Sequence, residues 1–295
     1  MNRPTHIAFL GFGEAARAFC GSLSETCSNL KFSAWDIKLQ RDEANGMRQA
    51  MEFAGVGVSP NLYHLASADW IISAVTADQS LIAVEPLIPY LQGGLLIDIN
   101  SVSPERKRQT AERISERDTA YLDMAVMTPV HPRGHRSPVL IAGKTAQKLL
   151  PILLEMGFSA NLESDAPGAA TAIKMVRSLF VKGLEAITIE TLLAAEASGC
   201  FDEILASLSA SYPGLNWPNF ATYQFERTTT HGGRRAAEME ESGNTLDVLG
   251  LSGDLAREIA EIQRRQGAVD ETQASGSLQD VVRAVLKMRL DQNLS

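Results

Sequence analysis

An apolar run from His6 to Leu10 leads into Gly11-Phe12-Gly13-Glu14-Ala15-Ala16 and then a helical stretch, an order suited to holding a pyrophosphate. The first glycine allows the tight turn and the second lets the anion approach the backbone. A small third residue, Ala16 here, lets helix pack on strand. About twenty residues on, Ser33-Ala34-Trp35-Asp36 ends a second apolar run with a carboxylate able to accept bonds from a ribose hydroxyl. Gly11, Phe12, Gly13, Glu14, Ala15 and Asp36 are therefore candidate dinucleotide contacts. A carboxylate repels a 2′-phosphate, which favours NAD, while Lys38 and Arg41 nearby keep NADP open. A third run ends Ala74-Val75-Thr76-Ala77. Loops at the carboxyl ends of parallel strands cover the nucleotide, so Val75 and Thr76 join the set by position.

These residues need a parallel sheet to gather them. Up to about residue 160, short apolar runs alternate with longer amphipathic segments, the pattern of strand and crossover helix. Strands are predicted at His6 to Leu10, Lys31 to Trp35, Trp70 to Ala74, Leu95 to Ile99, Tyr121 to Val126 and Val139 to Ala142. Helices are predicted at Gly13 to Ser24 and at Pro104 to Glu116, the second opened by Ser103-Pro104. The segment Leu162 to Gly168 is polar and turn-rich, and the pattern beyond it is helical without a further strand. The fold class is thus α/β, with a Rossmann-type parallel sheet over residues 1–163 and an all-α domain for substrate and dimerisation over 164–295, joined by a long helix.

In that long helix Ile173, Val176, Phe180, Leu184, Ile187 and Thr191 recur at three- and four-residue steps and form one apolar face. Further helices are expected at Phe201 to Leu208, Arg234 to Leu249, Ser252 to Gln266 and Leu278 to Leu290, with a short polar stretch around Asp270 to Gly276. The stretch from Pro167 to Leu193 is too long and apolar for its own chain to cover, which predicts a homodimer or higher homo-oligomer.

A chain of 295 residues buries a core without disulfides or metals. Its net charge of -8 is spread over interspersed acidic and basic residues, which argues against nucleic acid and anionic membrane as partners. Cys20, Cys27 and Cys200 neither pair evenly nor show metal-ligand spacing, so no metal is expected and a reducing compartment is. No signal-peptide core or membrane-length run is present in the pattern, and the expected location is the cytoplasm.

Three further stretches narrow the class: Asp98-Ile99-Asn100-Ser101-Val102-Ser103-Pro104, Asp123-Met124-Ala125-Val126-Met127-Thr128-Pro129, and Gly168-Ala169-Ala170-Thr171-Ala172-Ile173-Lys174-Met175-Val176-Arg177-Ser178. In this order and spacing the chain resembles the β-hydroxyacid dehydrogenases, the family of 3-hydroxyisobutyrate and 6-phosphogluconate dehydrogenases, in a divergent branch with a phosphogluconate-dehydrogenase-like C-terminal domain. The resemblance implies that Lys174 shuttles the hydroxyl proton of an acidic small-molecule substrate as hydride leaves for the nicotinamide. It also implies that Asn100 and Ser101 hold the substrate carboxylate and the nicotinamide side. Ser178 stands where the family usually has Asn. A lysine in this role needs its pKa lowered by burial or a neighbouring cation, and Arg177 is the neighbour at hand.

The departures are specific. Where the family offers backbone N–H groups from a glycine pair, this chain has Thr128 and Pro129, and proline has none to offer. Thr128 itself, or the basic residues His131, Arg133, His135 and Arg136, are the candidate replacements. The run Thr228-Thr229-Thr230-His231-Gly232-Gly233-Arg234-Arg235-Ala236-Ala237-Glu238 resembles the helix that replaces the usual Lys-Asp pair in one branch. It makes His231 and Glu238 candidate substrate contacts, with ion pairs of a surface helix as the other account. Two competing functions stay open: an NADPH-dependent imine reductase, a class that generally lacks the lysine, and a dinucleotide-binding homologue without catalysis.

Overall fold

Alternate residues of the first strand serve opposite faces of one sheet, Ile7 and Phe9 on one and Ala8 and Leu10 on the other, and all four are fully buried. The computed structural model describes residues 2–269 and 276–292. Its strands are β1 (His6–Leu10), β2 (Lys31–Trp35), β3 (Gly57–Val58), β4 (Trp70–Ser73), β5 (Leu95–Asp98), β6 (Ala120–Val126), β7 (Pro138–Ala142) and β8 (Ser159–Ser164). They form one eight-stranded sheet in the order β3-β2-β1-β4-β5-β6-β7-β8. Every pairing is parallel except β6 with β7. This is the Rossmann-type arrangement, with the strand order reversing on either side of β1.

The helices are α1 (Glu14–Thr26), α2 (Ala44–Phe53), α3 (Leu62–Leu65), α4 (Ser80–Val84), α5 (Pro104–Ser115), α6 (Ala146–Glu155), α7 (Ala169–Ala197), α8 (Phe201–Ser211), α9 (Asn219–Val248), α10 (Asp254–Gly267) and α11 (Leu278–Gln292). Backbone contacts divide the chain into two units, Met1–Met175 and Val176–Ser295, and α7 runs through the division. In the first unit α5 starts as its sequence suggests: Ser103 Oγ accepts from Arg106 N at 3.4 Å and Pro104 occupies the first turn. The sheet core takes Phe19 and Leu23 from α1 with Ile72, Ile97 and Met124. Each such large side chain, fully buried, contributes about 1.5–3 kcal/mol.

Several elements differ from expectation. Strands β3 and β8 carry no hydrophobic alternation: in β8 only Ala160 is buried, because this strand closes the edge of the sheet. Part of the polar segment Leu162 to Gly168 is accordingly strand, up to Ser164. Helix α9 begins at Asn219 rather than Arg234 and passes straight through Gly232 and Gly233. Thr228, Thr229 and Thr230 return their hydroxyls to the carbonyls of Gln224, Phe225 and Glu226, at 2.8, 3.2 and 3.0 Å. Gly232 lies where α10 crosses: a Cβ there would sit 2.3 Å from Gln263 O and 2.5 Å from Gly267 N. Close helix packing thus outweighs the poor helix propensity of glycine.

The apolar stripe expected along α7 faces outward over much of its length: Val176 is 53% exposed, Phe180 73% and Ile187 67%. The buried stripe of the second unit instead carries Ser178, Lys182, Glu185 and Ile189. Apart from Gly276, the polar stretch Asp270 to Gly276 lies outside the described residues. Among the described residues no helix is long and apolar enough to cross a membrane, and no cluster of His, Cys, Asp and Glu has the makings of a metal site.

Candidate functional site

The turn from β1 to α1 is shaped by what it must avoid. Gly11 has φ +86°, and a Cβ there would stand 2.6 Å from the Ala74 carbonyl oxygen and 2.7 Å from Val75 Cγ1. Only glycine lets this turn lie against the end of β4. Phe12 N–H donates to Asp36 Oδ2 at 2.8 Å and Lys38 N–H to Asp36 Oδ1 at 2.9 Å, so the carboxylate is fixed at the head of β2. Each of its oxygens keeps a further lone pair for a ribose hydroxyl. The Phe12 ring is fully buried, edge-on to Phe9 at 6.2 Å with the Arg17 guanidinium 5.7 Å above it, so this residue presents only backbone.

Gly13 is exposed, a Cβ on it would meet nothing within 4 Å, and no side chain caps α1. Glu14 is exposed and Ala15 half-buried, while Ala16 is buried under the helix. The first N–H groups of a helix lack intrahelical acceptors and carry its positive dipole end, which makes this turn a fitting cradle for a pyrophosphate.

Across the switch point, Val75 N–H donates to Asn100 Oδ1 at 2.7 Å, and Asn100 Nδ2 donates to Ser73 Oγ at 2.9 Å and Ser80 Oγ at 3.3 Å. Asn100 is 4% exposed, so its amide braces the ends of β4 and β5 instead of standing open to solvent. Thr76 is exposed. Ser101 is half-buried, and Lys174, 73 residues later, donates from Nζ to its Oγ at 2.5 Å. The structure thus brings together a hydroxyl and an amine that the sequence keeps far apart.

The loop after β6 leaves Thr128 exposed, its Oγ1 3.4 Å from the Pro129 carbonyl oxygen. Two of the four basic residues beyond it point to α1. His135 is fully buried, with Nδ1 2.7 Å from Ser22 Oγ, Nε2 3.1 Å from Met156 O, and its ring 5.0 Å from that of Phe158. Burial pushes its pKa down to about 4, so it is a neutral core histidine and not an acid anchor. Arg136 pairs with Glu25 at 3.1 Å on the surface. His131 and Arg133 are exposed.

Beneath the Ser101 loop lies a charged cluster that the sequence does not announce. Lys107 on α5, Asp98 at the end of β5 and Asp123 on β6 all have side chains at most 1% exposed. Lys107 Nζ lies 2.6 Å from the Asp98 carbonyl oxygen, 2.9 Å from Asp98 Oδ1 and 3.5 Å from Asp123 Oδ1. Tyr121 Oη donates to Asp98 Oδ2 at 2.9 Å. Burial raises the Asp123 carboxyl, opposed by Lys107 and by the Thr171 N–H, and burial together with Asp98 and Asp123 holds the Tyr121 phenol well above its ordinary value. The available signal was a carboxylate closing an otherwise apolar strand, as at Asp98.

In the second unit Arg177 is exposed and Ser178 buried, three and four residues past Lys174 on α7. Glu238, 7% exposed, receives Lys182 Nζ on Oε2 and Arg234 Nη1 on Oε1, each at 2.9 Å. Glu185 pairs with Arg235 and accepts from Gln263 Nε2 at 2.9 Å. Burial lowers the Arg235 pKa while Glu185 raises it. Arg235 and Glu238 are therefore buried members of a network joining α7, α9 and α10 and not parts of a solvated surface helix, and Lys182 and Glu185 are partners that the α7 pattern concealed. His231 is half-buried.

The sequence profile of a domain of unknown function (DUF1932) matches residues 195–266. A conserved hypothetical protein from Sinorhizobium meliloti is similar at 32% identity and TM-score 0.73, over 96% of each chain. A conserved protein of unknown function, described as structurally similar to 3-hydroxyacid dehydrogenases, matches at 25% identity and TM-score 0.67, over 88% of this chain and 97% of the other. The fold alone is shared with the 3-hydroxyisobutyrate dehydrogenase of Mycobacterium tuberculosis, at 16% identity and TM-score 0.69 over 97% of this chain and 99% of the other. The chain belongs to the same family as the Sinorhizobium meliloti protein, and its fold is that of the 3-hydroxyisobutyrate dehydrogenase.

Proposed function

We propose that this protein is a nicotinamide-dependent oxidoreductase that oxidises the CH–OH group of a β-hydroxy acid or sugar-acid-like alcohol, with Lys174 as general acid and base. The observation that carries the reading is the 2.5 Å contact of Lys174 Nζ with Ser101 Oγ, in the same unit as the β1–α1 anion cradle. NAD is the expected dinucleotide, because Asp36 disfavours a 2′-phosphate, and when bound it supplies the hydride acceptor. The β1–α1 turn with Gly11, Gly13, Glu14 and Ala15 would hold its pyrophosphate, and Asp36 a ribose.

The neutral Lys174 amine takes the proton of the substrate hydroxyl, and Ser101 orients that amine by accepting one of its N–H bonds. The ammonium then returns its proton to solvent, or to an enol if carbon dioxide leaves after oxidation. Thr128 in the first unit and, separately, Arg177, Ser178 and His231 in the second are proposed substrate contacts, while Glu238 is held in the buried network with Lys182 and Arg234. On this reading residues 1–163 bind the dinucleotide, while 164–295 take the substrate and a second copy of the chain across Val176, Phe180 and Ile187. A monomeric mass in solution would refute the second copy.

The test is a panel of hydroxy acids and sugar acids assayed with NAD and with NADP. Reduced dinucleotide formed from one member supports dehydrogenation. Turnover confined to cyclic imines with NADPH would replace it with imine reduction, and dinucleotide binding without any turnover would make the protein a non-catalytic homologue.

A further inference from the structure

The buried lysine of α5 sits between the two segments that present Ser101 and Lys174. On one side it grips Asp98, through both the main-chain carbonyl at 2.6 Å and Oδ1 at 2.9 Å. That same Oδ1 accepts the Asn100 N–H at 3.0 Å, which fixes the residue just before Ser101. On the other side it faces Asp123 Oδ1 at 3.5 Å. The second oxygen of Asp123 accepts from Gly168 N and Thr171 N, both at 3.1 Å, and so holds the start of the helix that carries Lys174 one turn later. Gly168 has φ +94°, and a Cβ on it would lie 2.8 Å from the Pro104 carbonyl oxygen, so α5 and the start of α7 are also in direct backbone contact.

We infer that Lys107 is a positioning residue: through Asp98 and Asp123 it sets the Ser101 loop and the first turn of α7 relative to one another, and thereby the Ser101–Lys174 contact. This rests on the reading of Lys174 as the proton-transferring group. The sequence makes α5 an amphipathic helix whose lysines and arginines belong in solvent, yet this one is fully buried while Arg108 beside it is exposed. A fully buried lysine must be matched by acceptors, and each of the two carboxylates that face it also accepts a backbone N–H that leads toward the site, Asp98 through Oδ1 and Asp123 through Oδ2.

The test compares wild type, Lys107→Met and Lys107→Met/Asp98→Asn. The single variant leaves two buried carboxylates without their cation, and the double restores the wild-type net charge of the cluster without restoring the tie. Brief labelling with acetic anhydride at a series of pH values, read by peptide mass spectrometry, gives the titration midpoint of Lys174. Thermal melting reports folding, and NADH fluorescence reports dinucleotide binding. The expected result is a Lys174 midpoint displaced by about half a pH unit or more in both variants, with the melting temperature lowered in the single variant and partly recovered in the double. A Lys174 profile unchanged in either folded variant, with only the melting temperature moved, would overturn the inference and leave Lys107 a structural residue. Should the single variant not fold, the double decides. Failure of wild type to bind NADH would count against the proposed function alone, since labelling still decides the role of Lys107.

Discussion

His135 offers a stability prediction with a defined pH window. Its ring is fully buried between Ser22, Met156 and Phe158, and its pKa is lowered from 6.5 to about 4, chiefly by burial. The unfolded chain therefore takes up this proton before the folded one does. The contribution is complete above pH 6.5 and is lost as the pH falls toward about 4. Between pH 7.5 and 4.5 the difference in proton binding amounts to about 2.5 kcal/mol, at roughly 1.4 kcal/mol per unit. Urea unfolding across this range, in wild type and in His135→Gln, isolates the term, because glutamine does not titrate and can still donate to Met156 O. Wild type should lose about 2.5 kcal/mol more than the variant on acidification. Equal losses in the two proteins would show that His135 does not resist protonation, and the burial argument would fail.

Two neighbouring glycines should respond oppositely to the same change. Gly232→Ala places a methyl against Gln263 O and the Gly267 backbone and should destabilise the second unit by about 2 kcal/mol or more. Gly233→Ala meets nothing within 4 Å and should stabilise α9 by about 0.5–1 kcal/mol. Urea midpoints that shift in the same direction would contradict the crossing described for α9 and α10. Asp36→Ala removes the acceptor of the Phe12 and Lys38 N–H groups as well as the proposed ribose ligand. NAD affinity should fall about tenfold or more, equivalent to about 1.4 kcal/mol, and unchanged affinity by fluorescence titration would remove Asp36 from the cofactor site.

The parts of the fold that could be read from the sequence are those whose signal is local. Strand β1 and its glycine turn were legible because burial on two faces gives a continuous apolar run and because Gly11, Gly13 and Ala16 follow it directly at fixed spacing. Strands β3 and β8 were not, since a two-residue pairing and an exposed edge strand have no pattern to show. The start of α9 was masked by threonines and a glycine pair that disfavour a lone helix, and of these it is Gly232 that the crossing of α10 requires. In the candidate site, the Ser101–Lys174 contact joins residues expected from the family resemblance. Lys107, Lys182 and Glu185 were invisible because each is a charged residue on a helix, and what buries it lies on another element. His135 erred in the opposite sense: beside three other basic residues it reads as part of a basic loop, while its contacts make it core.

The central claim is that Lys174 moves the proton for a nicotinamide-dependent oxidation. Its most direct test is Lys174→Met assayed beside wild type, with turnover measured on a substrate found in the hydroxy-acid panel and NADH binding measured by fluorescence. The account predicts turnover lost and dinucleotide affinity within about twofold of wild type, because the side chain that meets Ser101 is distinct from the turn that would hold the pyrophosphate. Near wild-type turnover in the methionine variant would contradict it.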